Sequence, residues 1–156
     1  MAPPSDTIKT NFDASLRSAE SKCSLGGLAR TSNGKCVVWF SYCLKQNLDP
    51  VVAEAMAALK AVKFALARQF FRIVLEGDSS TLVAAIRCKE GLRTSYGNLI
   101  ADIKRLATHF EEFEVCYVKR DGNRAAHEIA RLSSMSTFSA NVLPAAISDI
   151  VMSDSQ

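Results

Sequence analysis

The chain has 156 residues, of which 48% are hydrophobic and 22% are charged, with 7 glycines and 4 prolines. A fold of roughly this length can bury about 70% of the surface that its unfolded chain exposes, so the composition excludes a disordered or fibrous protein and predicts one globular enzyme or binding module. The net charge of +3 is compatible with a polyanionic partner but too weak to establish one.

The first third of the sequence has the pattern of three antiparallel strands. Apolar and polar residues alternate over 8–15, which predicts a strand that carries Asp13 on its polar face. A second extended segment, 22–31, leads through a turn at 32–34 into the aromatic and β-branched run 36–44. Together these segments predict an antiparallel meander.

The rest of the sequence alternates helices with strands. Asp49 before Pro50 is typical of a helix start, and the longest predicted helix continues from there to Gln69. The later elements are predicted as a strand over 72–76, a helix over 81–88 capped by residues 77–80, a basic loop over 89–97, a helix over 99–110, a strand over 114–118, and a helix over 124–132 with Asn123 as its N-cap. Residues 134–156 are predicted to be a tail with at most a short docked helix.

Cysteine usage and hydropathy indicate the compartment. The five cysteines are an odd number without C-x-x-C spacing, and four of them lie in apolar runs, so we expect buried thiols in a reducing environment. Residues 1–9 contain no apolar core of a signal peptide, and nowhere do 18 uncharged apolar residues follow one another. We therefore expect an intracellular monomer, nuclear or cytoplasmic, that does not bind membranes.

Three acidic residues far apart in the sequence fall on neighbouring elements of this order. Asp13 lies on the first strand, Glu54 in the first turns of the longest helix, and Asp78 at the carboxyl end of the next strand, where open α/β sheets gather functional groups. Each alone has a structural explanation: a solvated strand face, a favourable helix dipole, a helix cap. Taken together, they are expected to converge at one edge of the sheet as a site for divalent metal.

The order of strand Asp, helix Glu and strand-end Asp resembles ribonuclease H, specifically its plant reverse-transcriptase-like, retrotransposon-type family. Four motifs over residues 7–133 carry the resemblance: N-F-D-A at 11–14, A-E-A at 53–55, E-G-D-S at 76–79 and K-R-D-G-N-R-A-A-H at 119–127. The resemblance implies an α/β fold in which a mixed five-stranded sheet, with three antiparallel and two parallel strands, is flanked by helices.

The resemblance also implies an activity. The chain would be an endonuclease that hydrolyses the RNA strand of RNA/DNA hybrids with two Mg²⁺ ions, or with Mn²⁺ in their place. By the same resemblance, Asp13 would bridge the ions, and Glu54 and Asp78 would lie on the leaving-group side. Carboxylate oxygens are the ligands that such hard cations prefer. The nucleic-acid contacts implied beside these motifs are Ser15, Ser79, Asn123, Lys119, Arg120 and Arg124.

His127 stands where the catalytic pattern has a fourth acid. Imidazole is a softer ligand that suits Mn²⁺ or Zn²⁺ better than Mg²⁺ and brings no negative charge, so the second metal site should be weaker. The short loop before Asn123 also lacks the family's product-release histidine. His127 therefore has two open interpretations, as a substitute for that histidine and as a residue with a structural hydrogen bond.

Two hypotheses from different classes follow. An active ribonuclease H, catalysing through Asp13, Glu54, Asp78 and His127, is favoured by the three carboxylates. A nucleic-acid-binding or structural descendant of a retroelement ribonuclease H is favoured by His127. An exonuclease of the same superfold is disfavoured, because it would have a second acid two residues after the first, where this chain has Ser15.

Overall fold

The computed structural model describes residues 7–90, 93–132 and 138–140. The strands are β1 (Ile8–Arg17), β2 (Lys22–Arg30), β3 (Cys36–Leu44), β4 (Arg72–Gly77), β5 (Glu112–Tyr117) and β6 (Phe138–Ala140). The α-helices are α1 (Pro50–Ala67), α2 (Ser80–Arg87), α3 (Gly97–Ala107) and α4 (Arg124–Leu132), with short 3-10 turns at Ser18–Glu20 and Arg120–Asn123.

These strands form one sheet in the order β5-β4-β1-β2-β3-β6. β1, β2 and β3 pair antiparallel as the predicted meander, and β4 pairs parallel with both β1 and β5, so the predicted mixed five-stranded arrangement is confirmed. β6 adds a sixth strand antiparallel to β3, which the sequence did not predict. The helix predicted around 143–151 lies outside the described residues.

The ends of several elements differ from the sequence prediction. α1 ends at Ala67 instead of Gln69, because Gln69 adopts a left-handed backbone with φ of 61° and so leaves the helix. β5 begins at Glu112, two residues early, because its pairing with β4 starts at Arg72. Such shifts arise from tertiary pairing, which local patterns do not encode.

The two faces of the sheet carry different helices. Phe12 of β1 and Leu75 of β4 point to the face that is covered by α1, α2 and α3 and that contains the main core. Buried alanines, such as Ala53, Ala57 and Ala61, let α1 lie close to this face. The opposite face is covered by α4, where Leu28 and Ile129 belong to a smaller apolar cluster.

Two glycines allow close approaches that position the site. A Cβ on Gly26, which pairs with Asp13, would lie 2.4 Å from the backbone nitrogen of Ala130, so its absence lets α4 cross the sheet next to Asp13. A Cβ on Gly77 would lie 2.4 Å from the ring of Phe12. Glycine at these positions thus permits tight packing beside two of the predicted acids.

The sequence also led to predictions about the cysteines and about membrane-spanning segments, which can be compared with the structure. All five cysteines are free, but only Cys23 is fully buried, and the other four are half-buried, so the prediction of buried thiols was too broad. Among the described residues, no helix is both long enough and apolar enough to cross a membrane.

Candidate metal centre

Strand pairing brings Asp13 and Asp78 to the same level of the sheet. Asn11 on β1 pairs with Glu76 on the parallel strand β4, and the two acids each lie two residues further along the chain. Asp13 is 3% exposed, on the face that α4 covers, and Asp78 follows the last residue of β4. The carboxyl end of β4 thus places Asp78 next to Asp13, which lies in the middle of the adjacent parallel strand β1.

Glu54 completes the group from α1. Its Oε1 accepts a hydrogen bond from the backbone N–H of Ala14, at 3.2 Å, which fixes the carboxylate beside β1. One carboxylate oxygen from each of Asp13, Glu54 and Asp78 lies within 4.8 Å of the others. The structure therefore brings together three acids that are separated by 41 and 24 residues (54 − 13 and 78 − 54) in the chain.

Burial and mutual repulsion make this group unfavourable without a cation. Burial, together with the charges of Asp13 and Asp78, raises the pKa of Glu54 to about 10. Burial and Asp13 also raise the pKa of Asp78, against the lowering effects of Arg120, Asn123 and His127. Glu54 Oε2 is buried without a hydrogen-bond partner among the described residues. An orphaned oxygen within a set of hard oxygen donors fits a divalent metal such as Mg²⁺ or Mn²⁺.

His127 contacts the centre from the first turns of α4. Its Nδ1 lies 2.8 Å from Oδ2 of Asp13, and its side chain is 36% exposed. Because an ionised carboxylate can only accept, the imidazole donates through Nδ1 in this contact. The residue predicted at the fourth position is thus beside the three carboxylates, hydrogen-bonded to one of them, with Nε2 directed away from that bond.

The predicted nucleic-acid contacts occupy different environments. Ser79 caps α2, accepting a hydrogen bond from the N–H of Leu82 at 3.3 Å, and Ser15 is half-buried two residues after Asp13. Three cations between β5 and His127 are exposed to solvent, and one of them, Arg120, is close enough to Asp78 to oppose the rise of its pKa. These cations are Lys119, Arg120 and Arg124.

Asn123 does not present its side chain to solvent. It is 1% exposed and donates through Nδ2 to the carbonyl of Phe12 at 2.9 Å, so it binds strand β1 from the end of a 3-10 turn. Asn11 and Arg30, to which the sequence assigned no role, are buried on the same face. Asn11 could have been found from its spacing of two residues from Asp13, which places both on one strand face.

The sheet order and the carboxylate cluster define a ribonuclease H-like domain. The chain belongs to the reverse transcriptase-like family, whose pattern matches residues 11–133. The family predicted from the four motifs is thereby confirmed. A search of curated proteins found no match.

Solved structures share the fold at low sequence identity. RNase H1 from the halophilic archaeon Halobacterium salinarum is 20% identical, with a TM-score of 0.74 over 80% of this chain and 95% of its own. The N-terminal RNase H domain of a Mycobacterium tuberculosis protein is 15% identical, with a TM-score of 0.73 over 94% and 97%. LC11-RNase H1, isolated from compost and solved with an RNA/DNA hybrid, is 15% identical, with a TM-score of 0.70 over 81% and 95%.

Proposed function

We propose that the chain is a divalent-metal-dependent endonuclease that hydrolyses the RNA strand of RNA/DNA hybrids. The observation that carries the proposal is the convergence of Asp13, Glu54 and Asp78, with oxygens within 4.8 Å of one another, in a domain with the ribonuclease H fold. The hybrid bound to LC11-RNase H1 supports the choice of substrate. A 2′-hydroxyl that only the RNA strand carries supplies the basis for choosing which strand is cut.

The three carboxylates are the residues that would hold the ions. A pair of Mg²⁺ or Mn²⁺ ions supplies, when bound, activation of water and stabilisation of the leaving oxygen in an in-line displacement. The N–H of Ala14 orients Glu54, and Nδ1–H of His127 orients Asp13. Arg120, exposed next to Asp78, is suited to attract and orient a phosphate, with Lys119 and Arg124 extending the basic surface.

We also propose that His127 makes the centre prefer Mn²⁺ over Mg²⁺. Where a fourth acid would add a hard, charged ligand, the imidazole adds neither and already engages an oxygen of Asp13. Histidine at this position lowers the affinity of the centre for Mg²⁺ more than for Mn²⁺, because Mg²⁺ depends more strongly on oxygen ligands. Activity is therefore expected to be weaker in Mg²⁺ than in Mn²⁺.

A second candidate is a nucleic-acid-binding domain that no longer cleaves. The contact between His127 and Asp13 favours it, because an acid hydrogen-bonded to imidazole has one oxygen less for a cation. Its exposed cations Lys119, Arg120 and Arg124 would still bind a hybrid.

Cleavage assays separate the two candidates. A labelled RNA/DNA hybrid is incubated with the wild type and with Asp13→Asn, in Mg²⁺ and in Mn²⁺, with duplex DNA and duplex RNA of the same sequence as substrate controls. The nuclease proposal expects cleavage of the hybrid alone, fastest in Mn²⁺, and none by Asp13→Asn. Hybrid binding by gel shift without cleavage above the Asp13→Asn background in either metal would instead establish the binding domain.

A further inference from the structure

A chain of buried polar side chains leads to the carboxylates from the far end of β2. Arg30 is 5% exposed and donates through Nη2 to Oδ1 of Asn11 at 3.0 Å. Asn11 donates through Nδ2 to Oδ1 of Asn123 at 3.1 Å and to Glu76 at 3.2 Å. Asn123 donates through Nδ2 to the carbonyl of Phe12, the residue that precedes Asp13.

The chemistry of Arg30 fixes the direction of every bond in this chain. A guanidinium has donors only, so it requires the carbonyl oxygen of Asn11 to face it. The amide of Asn11 then faces Asn123 and Glu76 as a donor, so Asn123 presents its oxygen to Asn11. The amide nitrogen of Asn123 is left to donate to the carbonyl of Phe12 on β1.

We propose that Asn123 is a positioning residue of the metal centre, oriented by Arg30 through Asn11, and that it does not contact nucleic acid. Its amide donates to the β1 carbonyl that immediately precedes Asp13, so it fixes the backbone of this carboxylate against the start of α4. The inference deepens the proposed function and rests on it, because it assigns the support of the same metal site.

The burial of Arg30 argues for this role over a stabilising one. No carboxylate among the described residues forms an ion pair with its guanidinium, and its Nε has no hydrogen-bond partner there. A buried cation with one neutral partner is a poor way to stabilise a fold, and apolar replacement of buried ions is often neutral or favourable. The hydrogen bond that the guanidinium does make fixes the orientation of the Asn11 side chain, which is the effect expected of a positioning group.

Metal binding and hybrid binding, measured separately, test the inference without relying on cleavage. The wild type, Asn123→Ala, Arg30→Met and Arg30→Lys are titrated with Mn²⁺ alone by electron paramagnetic resonance, and with a fluorescent RNA/DNA hybrid in EDTA by anisotropy. Loss of a group that supports metal ligands commonly weakens metal affinity by 10–100-fold, so Asn123→Ala is expected to raise the Kd for Mn²⁺ about tenfold. Hybrid affinity should change by less than about twofold.

The Arg30 variants show whether the effect passes through the chain. Arg30→Met is expected to weaken Mn²⁺ binding by about threefold to tenfold, and Arg30→Lys, which keeps a donor, to weaken it less. Ser41→Ala is the matched control, because Ser41 Oγ is buried on the same face and donates to the Ile129 carbonyl at 2.9 Å, outside this chain. Its Mn²⁺ affinity should equal that of the wild type, with circular dichroism reporting the fold of every variant.

Each other outcome overturns a defined statement. Folded Asn123→Ala with normal Mn²⁺ affinity and weaker hybrid binding would make Asn123 a nucleic-acid contact and overturn the inference alone. If Ser41→Ala weakened Mn²⁺ binding as much as Arg30→Met, the effect of Arg30 would come from general packing of this face and not from the hydrogen bonds that link it through Asn11 to Asn123. A wild type that binds no Mn²⁺ would overturn both the inference and the proposed function.

Discussion

The two faces of the sheet differ in what they bury. The face beneath α1, α2 and α3 is almost entirely apolar, with Phe12, Ile73 and Leu75 fully buried among the alanines of α1. The face beneath α4 buries Asn11, Asp13, Arg30, Ser41 and Asn123 next to a small apolar cluster. One face therefore supplies most of the hydrophobic stabilisation, and the other supplies buried polar groups, among them Asp13 of the carboxylate cluster.

The difference shows how one sheet serves both stability and chemistry. Glu54 is the only one of the three acids contributed by a helix of the apolar face, and it reaches β1 through the N–H of Ala14. Two side chains of the described residues donate to backbone carbonyls of α4: Ser41 Oγ to Ile129 at 2.9 Å, and Arg17 Nη2 to Arg131 at 2.7 Å. Substitutions on the two faces should therefore separate stability from activity.

The largest effect on stability is expected on the apolar face. Leu75→Ala should reduce the free energy of unfolding by about 2–5 kcal/mol, because it leaves a cavity in a fully buried part of the core. Ser41→Ala, on the polar face, should reduce it by only about 1 kcal/mol, the value of one buried hydrogen bond. Urea denaturation measures both, and equal losses would contradict the division between the faces.

Glu54→Gln should lower the rate of cleavage and raise the stability of the metal-free protein. The substitution removes a metal ligand, so cleavage is expected to fall by more than about 100-fold, beyond the usual effect of losing a group that only supports a ligand. It also removes the free-energy cost of either protonating Glu54 on folding or burying its charge beside Asp13 and Asp78, so the metal-free protein should gain on the order of 1–3 kcal/mol near neutral pH. Urea denaturation in EDTA gives the second value, and a loss of stability there would show that the carboxylates do not repel one another in the fold.

The same repulsion predicts how stability depends on pH. Because the fold raises the pKa of Glu54 from 4.5 to about 10, the folded state binds more protons than the unfolded chain between these values. This contribution to stability is complete below about pH 4.5 and is lost as the pH rises through the folded pKa; Asp78 shifts in the same direction. Melting in EDTA at about pH 5 and about pH 9 should show a larger loss for the wild type than for Glu54→Gln. Saturating Mn²⁺ should reduce the difference between the two proteins, and parallel pH profiles in EDTA would rule out this origin.

His127→Asp tests whether the residue at the fourth position sets the metal preference. An aspartate there supplies the missing hard, charged ligand, so Mg²⁺-supported cleavage is expected to rise by about tenfold, while Mn²⁺-supported cleavage rises less. Rates with an RNA/DNA hybrid in each metal give the ratio, with His127→Ala as the control for loss of the imidazole alone. An unchanged Mg²⁺ to Mn²⁺ ratio in His127→Asp would show that this position does not set the metal preference.

The sequence predicted the sheet and the three acids because both depend on local patterns joined in order. Alternation in β1 and the residues before α1 identify their elements, and the order of these elements predicts that Asp13 and Asp78 come from neighbouring parallel strands. β6 was missed because three residues carry no periodicity and because the strand forms by backbone pairing with the open edge of β3.

The roles of the buried polar residues around the acids could not be predicted from local patterns. An asparagine before a helix favours an N-cap, and the family resemblance implies a nucleic-acid contact for Asn123. The positioning role that we propose instead rests on its contact with Phe12, 111 residues away. Arg30 at the end of a strand is typical of a solvated charge, and its burial depends on pairing and packing by distant parts of the chain. Groups that position a site through long-range contacts leave little local pattern in a single sequence.

The smallest expected effect concerns the exposed cations, which belong to neither buried face. Arg124→Ala removes one candidate phosphate contact, so hybrid affinity should fall a few-fold, and the slope of log affinity against log salt should decrease by about one. Lys35→Ala is the matched control, because Lys35 is equally exposed but precedes β3, at the end of the sheet opposite Asp13. Anisotropy titrations over a range of salt measure both slopes. Equal slopes for the two variants would mean that hybrid binding uses the general positive charge of the chain and not the basic surface beside the carboxylates.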